Sequence, residues 1–315
     1  MAIVFTVLSM LLTCGRDLFE KKSVSNSTED VLKTLVWYGI FNAVLLCLIL
    51  AFGLDERALP PHELILTKPV IVLSPILNFT CLFFAIFAYK YVGVSVRNTF
   101  VNTDGFFFVV LLVLYHVTTG NAQYSARLFM PRTMIGLILI VSAAIIYPNI
   151  KPNHDEEKSS KQDLKKTDKS KWIVALGVII AIIAGFFDGA ESMVSSVLIG
   201  DDIVDSMEFM AALALIQVII TFIVWIGISI KNRKIYNPFS LTEKNRFMGQ
   251  LFGIVSDMFY IFALSSDALL GIILWNVFPI LDMIGARIFL KEKLAFIQYL
   301  VLIMMVVGAV CVSLS

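Results

Sequence analysis

Carboxylates inside long apolar stretches are the residues of this sequence best suited to chemistry. The stretch FDGAESMVSS contains Asp188 and Glu191, which lie three residues apart and therefore share one face of a helix. A charged side chain in the middle of a membrane costs roughly 2.5–3.5 kcal/mol on insertion scales, which favours a functional role for it. Neighbouring carboxylates also repel each other, and this repulsion favours the binding of a proton. The pair is predicted to bind a proton or a substrate, unless it lies at the membrane surface and is merely hydrated.

A second group of polar side chains lies in the segment VRNTFVNTDG. Arg97 and Asp104 are seven residues apart and fall on nearly the same helical face, and Asn98 and Asn102 form an adjacent stripe. Such a stripe is too polar to face lipid, so it is expected to face the interior of a helix bundle. There it either lines a solute cavity or locks neighbouring helices together.

The stretch VFPILDMIG places a proline and an aspartate in one apolar run. Inside a helix, Pro279 would remove a backbone hydrogen bond and bend the chain, and the freed carbonyl would have to face protein or water. Asp282 lies three residues further on, on the same face. The sequence therefore predicts a gating kink beside a carboxylate that binds a proton or a substrate. A purely structural kink is the alternative.

Four further residues are predicted to complete a solute cavity. They are Asp257 and Tyr260 in one apolar stretch, and Trp275 and Asn276 in the next. The aromatic rings would offer walls to a cationic solute, although aromatic residues at helical spacing more often serve packing. Carboxylates outnumber bases among all the candidates, which favours a cationic or zwitterionic solute.

The composition identifies the environment of these side chains. Of the 315 residues, 58% are hydrophobic and 16% are charged, and the mean hydropathy is +0.86, whereas a soluble domain has about 25% charged residues. The chain is therefore predicted to be a multi-pass protein of the cell membrane, with the lipid bilayer as a partner. Its net charge of +1 argues against nucleic-acid binding. No metal, cofactor or nucleotide motif is recognised.

Long apolar stretches recur along the whole chain, each near the 20 residues that a membrane-spanning helix needs. Unbroken apolar runs fit helices rather than an open sheet. We therefore predict an all-α fold of ten transmembrane helices, at 2–20, 31–53, 67–91, 95–117, 132–149, 172–198, 206–230, 246–264, 268–289 and 295–314. The charged segment 151–171 is predicted to be a mobile linker between two halves, residues 1–150 and 172–315.

Weak similarities indicate that the two halves are copies of one unit. The D-x-x-E pattern of FDGAESMVSS recurs as Asp17 and Glu20 in RDLFEKKSVS, and Asn102 corresponds to Asn276 within one residue. Five helices per copy would place the halves in opposite orientations. Both termini then lie on one side of the membrane. The loops after the odd-numbered helices contain most of the Lys and Arg and are therefore expected inside, which places both termini outside. Arg16 and Glu20, four residues apart, are expected to neutralise each other.

Local patterns also predict contacts and helix ends. Two G-x-x-x-G patterns, Gly185 with Gly189 and Gly249 with Gly253, predict close packing between helices. The cluster Lys291-Glu292-Lys293 is expected to mark the point where a helix leaves the membrane.

The C-terminal segment YIFALSSDALLGIILWNVFPILDMIGARIFLKEKLAFIQYLVLIMMVVGAVCVS contains Ala263-Leu264, Pro279, Glu292 and Gly308. In this order these residues resemble the second repeat of EamA-type transporters in the drug/metabolite transporter superfamily. The resemblance implies ten helices in two inverted repeats that alternately open a central site. The first half departs from the family pattern, because it has Asp104-Gly105 where a proline is expected and lacks the glutamate before the fifth helix.

These observations favour a secondary transporter, not an enzyme. The expected solutes are amino-acid-like metabolites or amphipathic cations, moved outward by a proton gradient or by the solute's own gradient. Two alternatives stay open: an exchanger of the nucleotide-sugar type, which would normally need lysines in its cavity, and a receptor or assembly protein that does not transport. A homodimer is compatible with the sequence, which does not specify one.

Overall fold

Helices make up all the regular structure in the part of the chain that the computed structural model describes. That part comprises residues 2–24, 27–52, 59–118, 130–147, 150, 166–200, 203–275, 278–292 and 294–313, and it contains no strand. The result agrees with the predicted all-α class, because a helix satisfies its own backbone hydrogen bonds in lipid.

The chain forms twelve α-helices within those residues. They are α1 Ala2–Ser23, α2 Thr28–Phe52, α3 Pro61–Thr67, α4 Leu73–Ala88, α5 Val94–Val101, α6 Asp104–Thr118, α7 Pro131–Ile146, α8 Lys166–Gly200, α9 Ser206–Lys231, α10 Lys244–Trp275, α11 Phe278–Phe289 and α12 Phe296–Ser313. Short 3₁₀ turns precede α4, at Pro69–Val72, and α10, at Leu241–Glu243.

Four segments are long and apolar enough to cross a membrane: Thr28–Ala51, Pro69–Ala88, Trp172–Ser195 and Met207–Lys231. Two shorter apolar helices, Pro131–Ala143 and Phe296–Gly308, accompany them. Several such helices in one chain are the mark of an all-α, multi-pass membrane protein. The helices that carry Asp17, Arg97 and Asp282, namely α1, α5 and α11, fall outside this set.

The helices associate in pairs formed between the two halves of the sequence. The most extensive contacts join α1 to α10, α4 to α8, α2 to α9, and α7 to α12. Each pair combines one helix from before residue 150 with one from after residue 165. The buried polar side chains of the candidate site lie where these helix pairs meet.

Small and hydroxylated residues bring α1 and α10 together. Ser9 Oγ donates to the Ser256 carbonyl at 2.9 Å, and Ser256 Oγ donates to the Ser9 carbonyl at 2.9 Å. A Cβ atom on Gly249 would lie 3.4 Å from the Arg16 carbonyl oxygen, and one on Gly253 would lie 3.0 Å from Arg16 Cδ. The predicted packing role of this G-x-x-x-G pattern is confirmed.

The other G-x-x-x-G pattern, Gly185 with Gly189, allows α8 to pack closely against the chain segment that connects α5 to α6. A Cβ atom on Gly185 would lie 2.6 Å from the Val101 carbonyl oxygen, and one on Gly189 would lie 2.5 Å from that of Asp104. Only glycine allows two backbones to approach so closely. The predicted close contact is confirmed, and the polar segment after Val101 is held against α8.

Several predicted boundaries were wrong. The helix predicted at 95–117 is divided at Asn102 and Thr103 into α5 and α6. The break predicted at 265–267 does not occur, because α10 continues as one helix of 32 residues from Lys244 to Trp275. The polar SSD sequence at that point is tolerated inside the helix. The predicted linker is partly helical, since α8 begins at Lys166; residues 151–165 lie outside the described residues.

Pro279 is buried and is the second described residue of α11. Residues 276 and 277, which precede this helix, lie outside the described residues. The backbone on the N-terminal side of Pro279 is therefore not part of the description, and the predicted gating kink stays a prediction.

Candidate functional site

Two carboxylates and one amide from three helices meet in the interior. Asn98 on α5 donates from Nδ2 to Asp17 Oδ2 on α1 at 2.7 Å, and also to Asp282 Oδ2 on α11. The exposed fraction is 0% for Asp17 and Asp282 and 2% for Asn98. We call these three residues the central carboxylate cluster. It joins both halves of the sequence through a single amide group.

Two arginines surround Asp17. Arg16 Nε lies 3.3 Å and Arg97 Nη1 lies 3.6 Å from Asp17 Oδ1. The Arg97 guanidinium also donates to the Ala85 carbonyl at 3.1 Å and lies 4.8 Å from the centre of the Tyr89 ring. These contacts fix Arg97 in the interior and make Asp17 a well-compensated buried charge.

Asp282 has a different environment. Within the described part of the chain it forms no salt bridge, and its Oδ1 atom has no hydrogen-bond partner. The neighbouring Cys14 thiol, a weak donor, lies beside the Asp282 carboxylate, and its Sγ is 3.9 Å from the Leu281 carbonyl oxygen. Asp282 is therefore the least compensated member of the cluster, although it is fully buried.

Arg16 and Glu20, expected to neutralise each other, lie within electrostatic range but form no direct salt bridge. Arg16 pairs with the adjacent Asp17, whereas Glu20 Oε1 accepts a hydrogen bond from Gln250 Nε2 at 2.8 Å. The reason is tertiary, because α10 packs along α1 and offers Gln250 to the face on which Glu20 lies. Glu20 is 3% exposed and adds another carboxylate to the interior.

A small polar cavity lies beside this region, between α1, α2 and α10. Its interior volume is about 30 Å³, and its polar lining residues are Arg16, Tyr38, Asn42, Gln250 and Asp257. A space of this size holds one or two water molecules. Asp257 is one of the residues that line this space, and its predicted part in a solute cavity stays a prediction. We refer to this space as the polar cavity.

An amide network extends the polar region toward α4 and α9. Gln217 Nε2 donates to Asn78 Oδ1 at 2.8 Å, and the Tyr38 hydroxyl lies 3.3 Å from the same oxygen. Gln217 is fully buried. The sequence analysis did not single out Asn78, because a lone asparagine in an apolar stretch carries no recognisable pattern.

The Asp188 and Glu191 carboxylates occupy a second polar region, between α4 and α8. Glu191 Oε1 accepts hydrogen bonds from Ser74 Oγ at 2.7 Å and from Ser195 Oγ at 2.5 Å. We call Ser74, Glu191 and Ser195 the serine-bound site. Asp188 lies beside the Cys81 thiol, within electrostatic range of Asp104 and Glu191. The two carboxylates thus share a helix face, as predicted, but each has its own partners.

The remaining predicted residues are distributed as follows. Asn102 follows the last residue of α5, and Asp104 is the first residue of α6, so both lie at the helix joint. Tyr260 and Trp275 belong to α10, but their side chains lie outside the described residues, as does Asn276. These three therefore contribute nothing to the geometry described here.

Glu292 is the functional residue whose role the sequence analysis missed. It accepts hydrogen bonds from Val94 N at 2.8 Å and from Ser95 Oγ at 2.9 Å, at the N-terminus of α5. A carboxylate at this end of a helix satisfies free N–H groups and is favoured by the helix dipole. Its position after the last residue of α11, Phe289, agrees with the expected helix end. The carboxylate in addition positions the helix that carries Arg97 and Asn98.

Comparisons with known proteins inform the fold alone. No family model and no curated protein matches this chain. One solved structure, a crystal structure of a protein whose description gives no name, is similar with a TM-score of 0.55 and 15% sequence identity. The similarity covers 99% of this chain and 96% of the other. The whole chain therefore follows an architecture that a solved structure also has.

Proposed function

We propose that this protein is a secondary transporter that moves small cationic or zwitterionic solutes across a membrane by alternating access. The observation that carries the proposal is the central carboxylate cluster, whose members come from α1 and α5 in the first half and from α11 in the second. A polar contact between two halves of a membrane protein is a place that relative motion of the halves would open.

The pairing of the helices supports an arrangement of two inverted repeats of five spans. In such an arrangement α1 corresponds to α8 and α4 corresponds to the first part of α10. The contact of α1 with α10 then has its counterpart in the contact of α4 with α8, while α2 pairs with α9 and α7 with α12. A twofold relation between the halves would generate this pattern. It also agrees with the ten spans and with the EamA-type resemblance.

The size of the polar cavity fits a closed stage of such a cycle. About 30 Å³ is too little for a metabolite, so a solute would enter only after α1 and α10 separate from α2. The lining would then offer it the Asp257 carboxylate and the Tyr38 hydroxyl and ring. A carboxylate with an aromatic face is suited to an ammonium group. We infer amino-acid-like metabolites or amphipathic cations as the solute class, with export as the direction.

The interior charges favour this class over nucleotide sugars. A nucleotide-sugar exchanger needs free cations for its phosphates, but the two arginines beside the central carboxylate cluster, Arg16 and Arg97, are directed at Asp17. In the described part of the chain the polar cavity contains no lysine. An anionic solute would therefore meet uncompensated carboxylates.

The proposal is tested with the purified full chain in liposomes. Radiolabelled counterflow is measured for a panel of amino acids, quaternary amines and nucleotide sugars. We expect counterflow of one or more cationic or zwitterionic members, with at least a tenfold loss in Asp257→Asn, since the amide cannot neutralise the solute. Glu63→Gln is the matched control, because Glu63 is an exposed carboxylate on α3.

Three outcomes would contradict parts of the proposal. Counterflow of nucleotide sugars alone would overturn the solute class. Equal rates in wild type and Asp257→Asn would remove Asp257 from the site. The absence of counterflow for every member of the panel, with a folded protein, would favour a receptor or assembly role over transport.

A further inference from the structure

The charged side chains around Asn98 do not balance. Asp17, Glu20 and Asp282 supply three negative charges, and Arg16 and Arg97 supply two positive charges; the two aspartates are fully buried, and Glu20 and Arg97 are at most 5% exposed. An uncompensated charge in a membrane interior is costly. If all five of these charged groups are ionised, together they carry one excess negative charge.

The neighbouring elements do not supply the missing cation. Lys21 on α1 donates to the Val92 carbonyl at 3.0 Å, at the end of the bundle where Glu292 caps α5. The described part of α10 contributes the neutral Gln250, and Asp257 with a further negative charge. Its buried Arg246 is paired with Asp30 and Glu243 instead. After α4, Tyr89 offers its ring to Arg97. The missing positive charge is therefore not supplied from outside the five groups around Asn98.

The hydrogen bonds of Asn98 locate the excess charge. An amide nitrogen has two hydrogens, and Asn98 Nδ2 donates to Asp17 and to Asp282, while its Oδ1 accepts from Arg97 Nη1. Both hydrogens of the Asn98 amide are therefore used. Asp17 retains both arginines, whereas Asp282 Oδ1 is buried without a partner. A bare carboxylate oxygen in such a place is strongly unfavourable.

We propose that the central carboxylate cluster is a binding site for a single proton, carried by the pair Asp17 and Asp282 and held mainly on Asp282. A proton from the aqueous phase converts one carboxylate to a carboxylic acid, which brings the five interior groups to neutrality. It also removes the repulsion between two carboxylates that share one amide.

The role of this proton in transport rests on the proposed function. Asp17 and Asn98 belong to the first half and Asp282 to the second, so a movement that separates the halves would withdraw Asp282 from Asn98 and from the Asp17 pair. Water could then take the proton. Binding and release of the proton are thereby linked to the same contact that opens and closes, which is what coupling to a proton gradient requires.

The site is tested without any solute. The full chain in liposomes is stepped between high and low pH, while infrared difference spectra record the carbonyl band of protonated carboxyl groups and an indicator dye counts the protons bound. We expect Asp282→Asn to lose one buried carboxylic-acid band and to bind one proton fewer per chain than wild type. Glu63→Gln should keep the band.

A conservative variant keeps the test decisive if Asp282→Asn fails to fold. Asp282→Glu retains the carboxyl group, and we expect its band to remain at a shifted frequency. A band unchanged in Asp282→Asn, or no buried band in folded wild type at any pH, would overturn the proposal. If sodium ions added at constant pH abolish the band, a sodium site replaces the proton site.

Counterflow on the same preparations separates this proposal from the proposed function. A buried acid band without counterflow would leave the proton site standing and remove transport. Counterflow without the band would leave a transporter that is not coupled through Asp282.

Discussion

Two D-x-x-E patterns in this chain have very different surroundings. On α1, Asp17 lies between two arginines and an amide, and Glu20 is bonded to Gln250. On α8, Glu191 is held by the hydroxyls of Ser74 and Ser195, and neither it nor Asp188 forms a salt bridge within the described residues. Charge compensates the first site, and neutral donors solvate the second.

The difference teaches that spacing alone does not define a carboxylate site in a membrane protein. Guanidinium groups keep a buried carboxylate ionised and tie its stability to their own. Hydroxyl groups replace water as hydrogen-bond donors, and they can donate to an ionised carboxylate or to a neutral amide oxygen. We therefore expect neutral substitutions to be severe at Asp17 and mild at Glu191.

The largest effect is expected for Asp17→Asn. The substitution leaves Arg16 and Arg97 without their main partner in the interior, and breaking a buried ion pair from one side costs about 3–5 kcal/mol. Thermal unfolding of the purified protein in detergent measures the loss. If Asp17→Asn lowers the stability no more than Glu191→Gln does, the contrast between the two patterns is wrong.

An intermediate effect is expected for Gly189→Ala. Gly189 lies between Asp188 and Glu191 on α8, where this helix contacts α6. Its new methyl group would lie 2.5 Å from the Asp104 carbonyl oxygen and 2.7 Å from Phe108 N, both of them backbone atoms. Overpacking of this kind costs about 1–3 kcal/mol. The same unfolding assay applies.

Gly227→Ala is the matched control for that substitution. A methyl group on Gly227 has no heavy atom within 4 Å, so the change should be neutral or stabilise α9 by up to about 1 kcal/mol. Equal destabilisation of the two variants would show that the contact between α6 and α8 is looser than described.

The smallest effect is expected for Glu191→Gln. The amide oxygen still accepts hydrogen bonds from Ser74 and Ser195, so the loss should be about 1 kcal/mol or less. Counterflow and the buried acid band should both persist, because neither depends on the serine-bound site. Loss of the acid band in this variant would transfer the proton site from α11 to α8.

The sequence analysis found many of the charged residues but few of their partners. Asp282, Arg97 and Asp257 stood out because charges are rare in apolar stretches, and each of them lies in the interior or lines a cavity. The contact of Glu292 with α5 was not predicted, because the N-terminus of that helix lies 198 residues earlier in the sequence.

The sequence by itself determined the solvent and the class of structure. Its hydrophobic content requires helices that satisfy their own backbone hydrogen bonds in lipid, and the cost of burying charge requires the polar residues to face the interior. Only the tertiary structure decided which charges meet. Asn98 reaches Asp17 and Asp282 across 81 and 184 residues of sequence, and such contacts depend on which helices pack together. Because helix packing is set by the shape and the small residues of whole faces, no local pattern around Asp17 could predict its partners.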